Sequence, residues 1–277
     1  MRAERPAPPA LQLAAGLTAG FLSGLLGIGG GLVVGPFLAL RGLELPRALG
    51  TALVVVAPIA CVGVLTELAV APANLHLLPA LGLAVGGQLG APLGARILNG
   101  LPDRALRLLF AGVLVLTALR NLGLVGGPAP AGALPGLGGA PGLDLAVAGA
   151  LGVLAGLAST LFGIGGGLVA VPGLVYAVGG IPFPEAAATS LLAMIPTVLR
   201  GVWIARREGR IVPGAARWLL PAALLAAAAA VLLRNEVLAP VLLARLFGLF
   251  LLYAGWRILS RPPQKPSSRT RTTPPDR

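Results

Sequence analysis

Four glycines and an isoleucine, Gly27-Ile28-Gly29-Gly30-Gly31, interrupt an apolar run from Leu11 to Leu40, and the same string returns as Gly163-Ile164-Gly165-Gly166-Gly167 between Asp144 and Val178. No other feature constrains the fold as strongly. A straight helix over 11–40 would be about 45 Å long, against a bilayer core of about 30 Å. Glycine is a poor helix former and accepts irregular backbone, so each overlong run is expected to break at its glycines. Pro36 and Pro172 follow the two copies at the same spacing and read as helix-break prolines.

Hydrophobic residues make up 56% of the 277-residue chain and charged residues 11%, with a mean hydropathy of +0.91. That leaves too little polar surface for a water-soluble globule and indicates an all-α integral membrane protein. Charged and proline-bearing breaks divide the chain into eight spans, at about 11–40, 48–69, 75–98, 103–122, 143–178, 184–205, 213–233 and 239–259. The duplication reaches beyond the glycines. Ser23 matches Ser159, and after a two-residue insertion Pro46, Thr51, Pro58, Arg96, Pro102 and Arg107 match Pro184, Thr189, Pro196, Arg234, Pro240 and Arg245. The organisation expected is an N-terminal tail (1–10), a first membrane repeat (11–122), a Gly/Pro-rich linker (123–142), a second repeat (143–260) and a disordered basic tail (261–277). Four spans return the chain to its starting side, so the two four-helix repeats are expected to be parallel, related by an axis along the membrane normal. On that layout 14 of the 21 basic residues face one side and 7 the other, which puts both termini in the cytoplasm.

Several function classes drop out. With one cysteine, Cys61, and one histidine, His76, there is no internal disulfide and no Cys/His metal cluster. No Ser/His/Asp or Cys/His set is available for nucleophilic catalysis, so no catalytic residues, cofactor or enzyme activity are expected. The net charge of +12 sits at span ends and in the tail, the pattern of a membrane protein and not of a nucleic-acid binder. The acidic residues fall in loops or at span ends, with Glu67 nearest a span interior and a weak candidate for coupling. The matched arginines, Arg96 with Arg234 and Arg107 with Arg245, could attract an anion by their field and otherwise read as snorkelling anchors. Gln88, whose counterpart is Ala226, reads as an interhelical hydrogen-bonding group.

Irregular backbone inside a bilayer is tolerated where it is buried in protein or lines a polar cavity. A half-helix that restarts after Gly31 or Gly167 points free N–H groups and a positive dipole end into the protein, which suits an anion. Two such ends facing one another near the midplane are the arrangement of a carrier. The candidate substrate-binding residues are Ser23, Gly27, Gly29, Gly30, Gly31 and Thr51 in the first half. Those in the second half are Ser159, Gly163, Gly165, Gly166, Gly167, Thr189 and Ser190. Close helix packing, as in Gly20-x-x-x-Gly24, is the competing role for the glycines, and helix capping for the hydroxyls.

On these residues the chain resembles the sulfite exporter TauE/SafE family, also called the 4-toluene sulfonate uptake permease family. The resemblance rests on Ser23 to Gly31 through Pro36 with Gly50-Thr51, and on Leu161 to Gly167 through Pro172 with Thr189-Ser190, and it covers Leu11 to Ser260. It implies a secondary carrier in the bacterial cytoplasmic membrane that moves small sulfur-containing anions such as sulfite or sulfonates by alternating access. A non-transporting membrane scaffold or assembly factor, or a permease for another small anion, is the alternative. Direction, coupling ion and homo-oligomeric state are not encoded in any motif.

Overall fold

A computed structural model describes residues 8–97, 103–125, 141–162, 165–178 and 181–260. The regular structure of these residues is all helical: α1 (Pro9–Leu26), α2 (Gly31–Leu40), α3 (Leu45–Val70), α4 (Leu77–Ile97), α5 (Asp103–Asn121), α6 (Pro141–Phe162), α7 (Gly167–Tyr176), α8 (Phe183–Arg207), α9 (Leu219–Glu236) and α10 (Pro240–Leu259), with a 3-10 turn at Pro72–Asn74. Prolines stand at the start of α1, α3, α8 and α10, where a missing N–H costs no helix bond. Four helices, at Pro9–Leu26, Pro46–Val70, Phe183–Arg207 and Leu219–Glu236, are long and apolar enough to cross a membrane. The chain is a multi-pass membrane protein. The proposed linker falls mostly, and the C-terminal tail wholly, outside the described residues.

Both glycine strings interrupt helices, but the run 11–40 is not a single span with a kink. A Cβ built on Gly30 would lie 2.9 Å from the Ala19 carbonyl oxygen. Those residues are eleven apart, which in a continuing helix would separate them by about 16 Å. The chain has therefore turned back, and Val34 and Leu38 of α2 pack in one cluster with Ala19. The second copy repeats this: Gly166 lies against Ala155 and Gly173 against Leu151, so positions rise along α7 as they fall along α6. The described glycines of each string lie at the tip of a helical hairpin. Pro36 and Pro172 do not make the break, as the sequence suggested; they sit inside α2 and α7, which run on past them.

The reversal changes how the halves are related. In the α3/α8 pair, Gly63 meets Leu191 and Gly201 meets Leu53, so the helices are antiparallel and the two contacts exchange under the repeat. In the α5/α10 pair, Gly248 meets Ala118 and Asn121 while Gly255 meets Ala111 and Leu114, again antiparallel. Symmetry-related helices that touch while running in opposite directions need a twofold axis across them. The expectation of parallel repeats is corrected accordingly: the halves are inverted, because each first segment doubles back and gives each half an odd number of legs.

The halves are also interleaved. α1 runs parallel to α9, with Gly16, Gly20 and Gly24 set on the backbones of Leu219, Ala223 and Ala227. Likewise α4 runs parallel to α6, with Gly82, Gly86 and Gly90 on Leu145, Gly149 and Val153. These glycine rows supply the close packing expected of small residues in membrane helices. They lie on helix flanks and are separate from the glycines at the hairpin tips.

Candidate functional site

At the first tip α1 ends on Gly27 (φ 72°, ψ 22°), whose N–H donates to the Ser23 carbonyl at 2.8 Å. Gly29 (φ 77°) and Gly30 (φ 69°) follow, and the Gly30 carbonyl accepts from the N–H groups of Val33 and Val34 to start α2. At the second tip Gly165 (φ 79°) and Gly166 (φ 82°) repeat the geometry, and Gly166 accepts from Val169 and Ala170. Left-handed backbone at these positions requires glycine. At Gly27 space requires it as well, because a Cβ there would fall 2.6 Å from the backbone Cα of Ala187; a Cβ on Gly29 would fall 2.6 Å from the movable Met194 Sδ.

The two tips touch. A Cβ on Gly167 would strike the Gly27 carbonyl oxygen and lie 2.7 Å from Ile28 Cα. Ser190, on α8, donates from Oγ to the same Gly27 carbonyl at 3.1 Å. Met194, one turn further along α8, lies between Gly29 and Gly165. Beside it a cavity is lined by Gly87, Gly156, Gly165, Ser190, Met194 and Thr197 among others. Its volume for the centre of a water-sized sphere is about 20 Å³, little more than the ~10–15 Å³ that a single water needs. Entry of anything larger requires the thioether of Met194, flexible about three bonds, to move.

The sequence-named hydroxyls divide by role. Thr51 Oγ1 accepts from Val212 N–H at 3.0 Å, in the connection between α8 and α9. Its repeat mate Thr189 accepts from His76 N–H at 3.1 Å and donates to the Asn74 carbonyl at 3.2 Å, in the connection between α3 and α4. Each threonine thus fastens the other half's connecting segment, and neither caps its own helix. Ser23 is fully buried, with no hydrogen-bond partner for Oγ among the described residues. Gly31 begins α2 and is buried; Ser159 is partly buried on α6; Gly163 lies outside the described residues. Gln88 accepts from Arg200 Nη1 through its Oε1 at 2.9 Å and its backbone carbonyl at 3.0 Å, joining α4 to α8.

The largest departure from the sequence reading is Arg234. It is not a snorkelling anchor: its side chain is 0% exposed and forms an ion pair through Nη2 with Glu67 Oε2, itself 1% exposed. Its Nη1 donates to the Gly24 carbonyl at 2.8 Å, one turn before the first tip. Asn74 donates to Glu67 Oε1 at 2.6 Å, and Asn235 Nδ2 lies 3.1 Å from both carboxylate oxygens. Buried charges are costly to desolvate and persist where they are paired and multiply hydrogen-bonded, as here. The repeat mates of Glu67, Asn74 and Asn235 are Ala205, Val212 and Ile97, so this network exists in one half only. That mismatch is the sequence signal that could have singled it out. On the same side, His76 Nε2 lies 2.6 Å from Glu185 Oε2. Among the described residues, no three His, Cys, Asp or Glu side chains gather as metal ligands would.

A family model described as Sulfite exporter TauE/SafE matches residues 1–121 and 148–276, nearly the whole chain. No curated protein and no solved structure matches it.

Proposed function

The chain belongs to the sulfite exporter TauE/SafE family, a membrane transporter family, and from that membership we propose that it is a permease for small sulfur-containing anions such as sulfite or sulfonates, worked by alternating access. The observation that carries this reading is the meeting of two inverted hairpin tips whose glycines lay the backbone bare. Each tip opens a half-helix whose first amides have no partner within the helix, and whose dipole favours negative charge. Inverted repeats that meet at the centre of a membrane protein suit a carrier, because the two halves can exchange conformations and open the site to either side. Met194 is the gate, since it fills the space between the tips beside a cavity about one water in size.

The inverted layout also supports an orientation. One side of the protein holds the start of α1, the α2–α3, α4–α5 and α8–α9 connections and the end of α10. Among the described residues, Arg41, Arg47, Arg96, Arg104, Arg107, Arg206, Arg207, Arg210, Arg217 and Arg257 fall to that side, ten in all. The other side has Arg120, Arg234 and Arg245, and Arg200 lies within α8. A bias this steep supports a cytoplasmic location for the side on which α1 starts and α10 ends, in a bacterial inner membrane.

The test is uptake of labelled sulfite by proteoliposomes carrying the protein. Gly30→Val and Gly166→Val should abolish uptake while the protein still inserts and purifies as the parent does, because each places a branched side chain at positive φ within 3.1 Å of a backbone carbonyl. Parental uptake by both variants would refute the tip site.

A further inference from the structure

We propose that Arg234 is an oxyanion subsite held shut by Glu67, and that a proton taken up by Glu67 opens it, so that one proton moves with each monoanion. The inference rests on the permease reading above. Arg234 is the one arginine among the largest fully buried side chains of the described residues. It reaches the last turn of α1 through Gly24, directly ahead of the first hairpin tip. Its guanidinium is incompletely used: Nη1 holds the Gly24 carbonyl, Nη2 holds Glu67, and Nε is buried with no partner among the described residues. Nε and Nη2 form one edge of the planar group, the fork that grips two oxygens of a carboxylate, sulfonate or sulfite in parallel. Glu67 occupies half of that fork.

Charge balance supplies the coupling. The charged group paired with Glu67 is Arg234 from α9; α1 contributes the Gly24 carbonyl, the 72–74 turn contributes Asn74, and His76 and Glu185 on the same side are paired with each other. The pair is neutral, and a second anion brought to it would leave a net negative charge in a low-dielectric interior. Protonation removes that charge: hydronium gives its proton to Glu67 Oε2, the Arg234 Nη2 contact is released, and the incoming anion takes the Nε/Nη2 edge. The neutral acid stays in place because the amides of Asn74 and Asn235 still hold it. Departure of the anion and loss of the proton on the other side restore the pair. Since the Glu67 mate is Ala205, the subsite belongs to one half, and one proton is expected per transport cycle.

The experiment uses the full-length protein in liposomes loaded with a pH-reporting dye, with labelled sulfite counted in parallel. Sulfite's own proton equilibrium contributes equally to parent and variant, so their difference isolates the carboxylate. Glu67→Gln should still bind sulfite, seen as a rise in Tm, and still exchange it across the membrane, while moving one proton fewer per sulfite. The double variant Glu67→Gln/Arg234→Gln removes both charges together, remains neutral inside, and should lose the sulfite-induced rise in Tm. An unchanged proton count in Glu67→Gln, a Glu67→Gln protein that neither binds nor exchanges sulfite, or a double variant stabilised by sulfite as strongly as the parent overturns the proposal. Absence of any sulfite uptake by the parent overturns the permease reading itself, and this proposal with it.

Discussion

The contact between hairpin tips can be probed by a single methyl group. Gly167 opens α7 with ordinary helical backbone, so Gly167→Ala introduces no left-handed strain. The added Cβ would meet the Gly27 carbonyl oxygen and lie 2.7 Å from Ile28 Cα. Both are backbone atoms that cannot rotate away, and ordinary contact begins at about 3.4 Å, so the tips must part by roughly 0.7 Å or more; overpacking of this kind costs about 1–3 kcal/mol. Displacement of the tips also disturbs the Ser190–Gly27 hydrogen bond and the seat of Met194. The expected result is a lowered Tm together with sulfite uptake reduced at least tenfold in proteoliposomes. Gly112→Ala is the control, because α5 has nothing within 4 Å of that position and an alanine there should stabilise the helix by about 0.5–1 kcal/mol without touching uptake. A Gly167→Ala protein with parental Tm and uptake would refute the proposed contact between the tips.

Two further outcomes follow from the same geometry. Thr189→Val leaves the His76 N–H and the Asn74 carbonyl without their partner, and Thr51→Val does the same to the Val212 N–H. Each should lose about 1–3 kcal/mol of stability, read as a drop in Tm, and parental Tm in both would mean that these threonines do not fasten the connecting segments. With Cys61 replaced by alanine, Ala73→Cys and Glu208→Cys should react with a membrane-impermeant maleimide from opposite sides, Ala73→Cys from outside intact cells. Labelling of both from one side would restore the parallel arrangement.

Much of the helical inventory was legible because composition and proline placement are local signals. The span limits drawn at 48–69 and 184–205 fall within α3 and α8, and those at 239–259 start one residue before α10, since each of these helices begins at or beside a proline that cannot continue a preceding helix. The roles of Thr51 and Thr189 were not legible, because their partners lie 161 and 113–115 residues away. Local reading offers a threonine near a helix start a substrate contact or a cap, not a bond to a distant connection. Arg234 was misread for a related reason. Its repeat mate Arg96 encouraged one role for both, whereas the residue that sets the role is Glu67, whose mate is the uncharged Ala205.

The reversal at the glycines is the instructive failure. A kink and a hairpin need the same residues, since both leave helical geometry at positions that only glycine tolerates. Length cannot separate them either: 30 residues are too many for one straight crossing and equally suit a long leg with a short return. The distribution of arginine does separate them. A through-going span in each half divides the basic residues of the described elements 7 to 7, whereas a hairpin in each half, which inverts the segments between the two tips, gathers ten on one side and leaves three on the other. Translocation holds basic residues on the cytoplasmic side, so the layout with the steeper bias is the physically preferred one. The direction of the chain at Gly27–Gly31 was therefore written in arginines far from it, at Arg41, Arg47 and Arg104, and not in the glycines that make the turn.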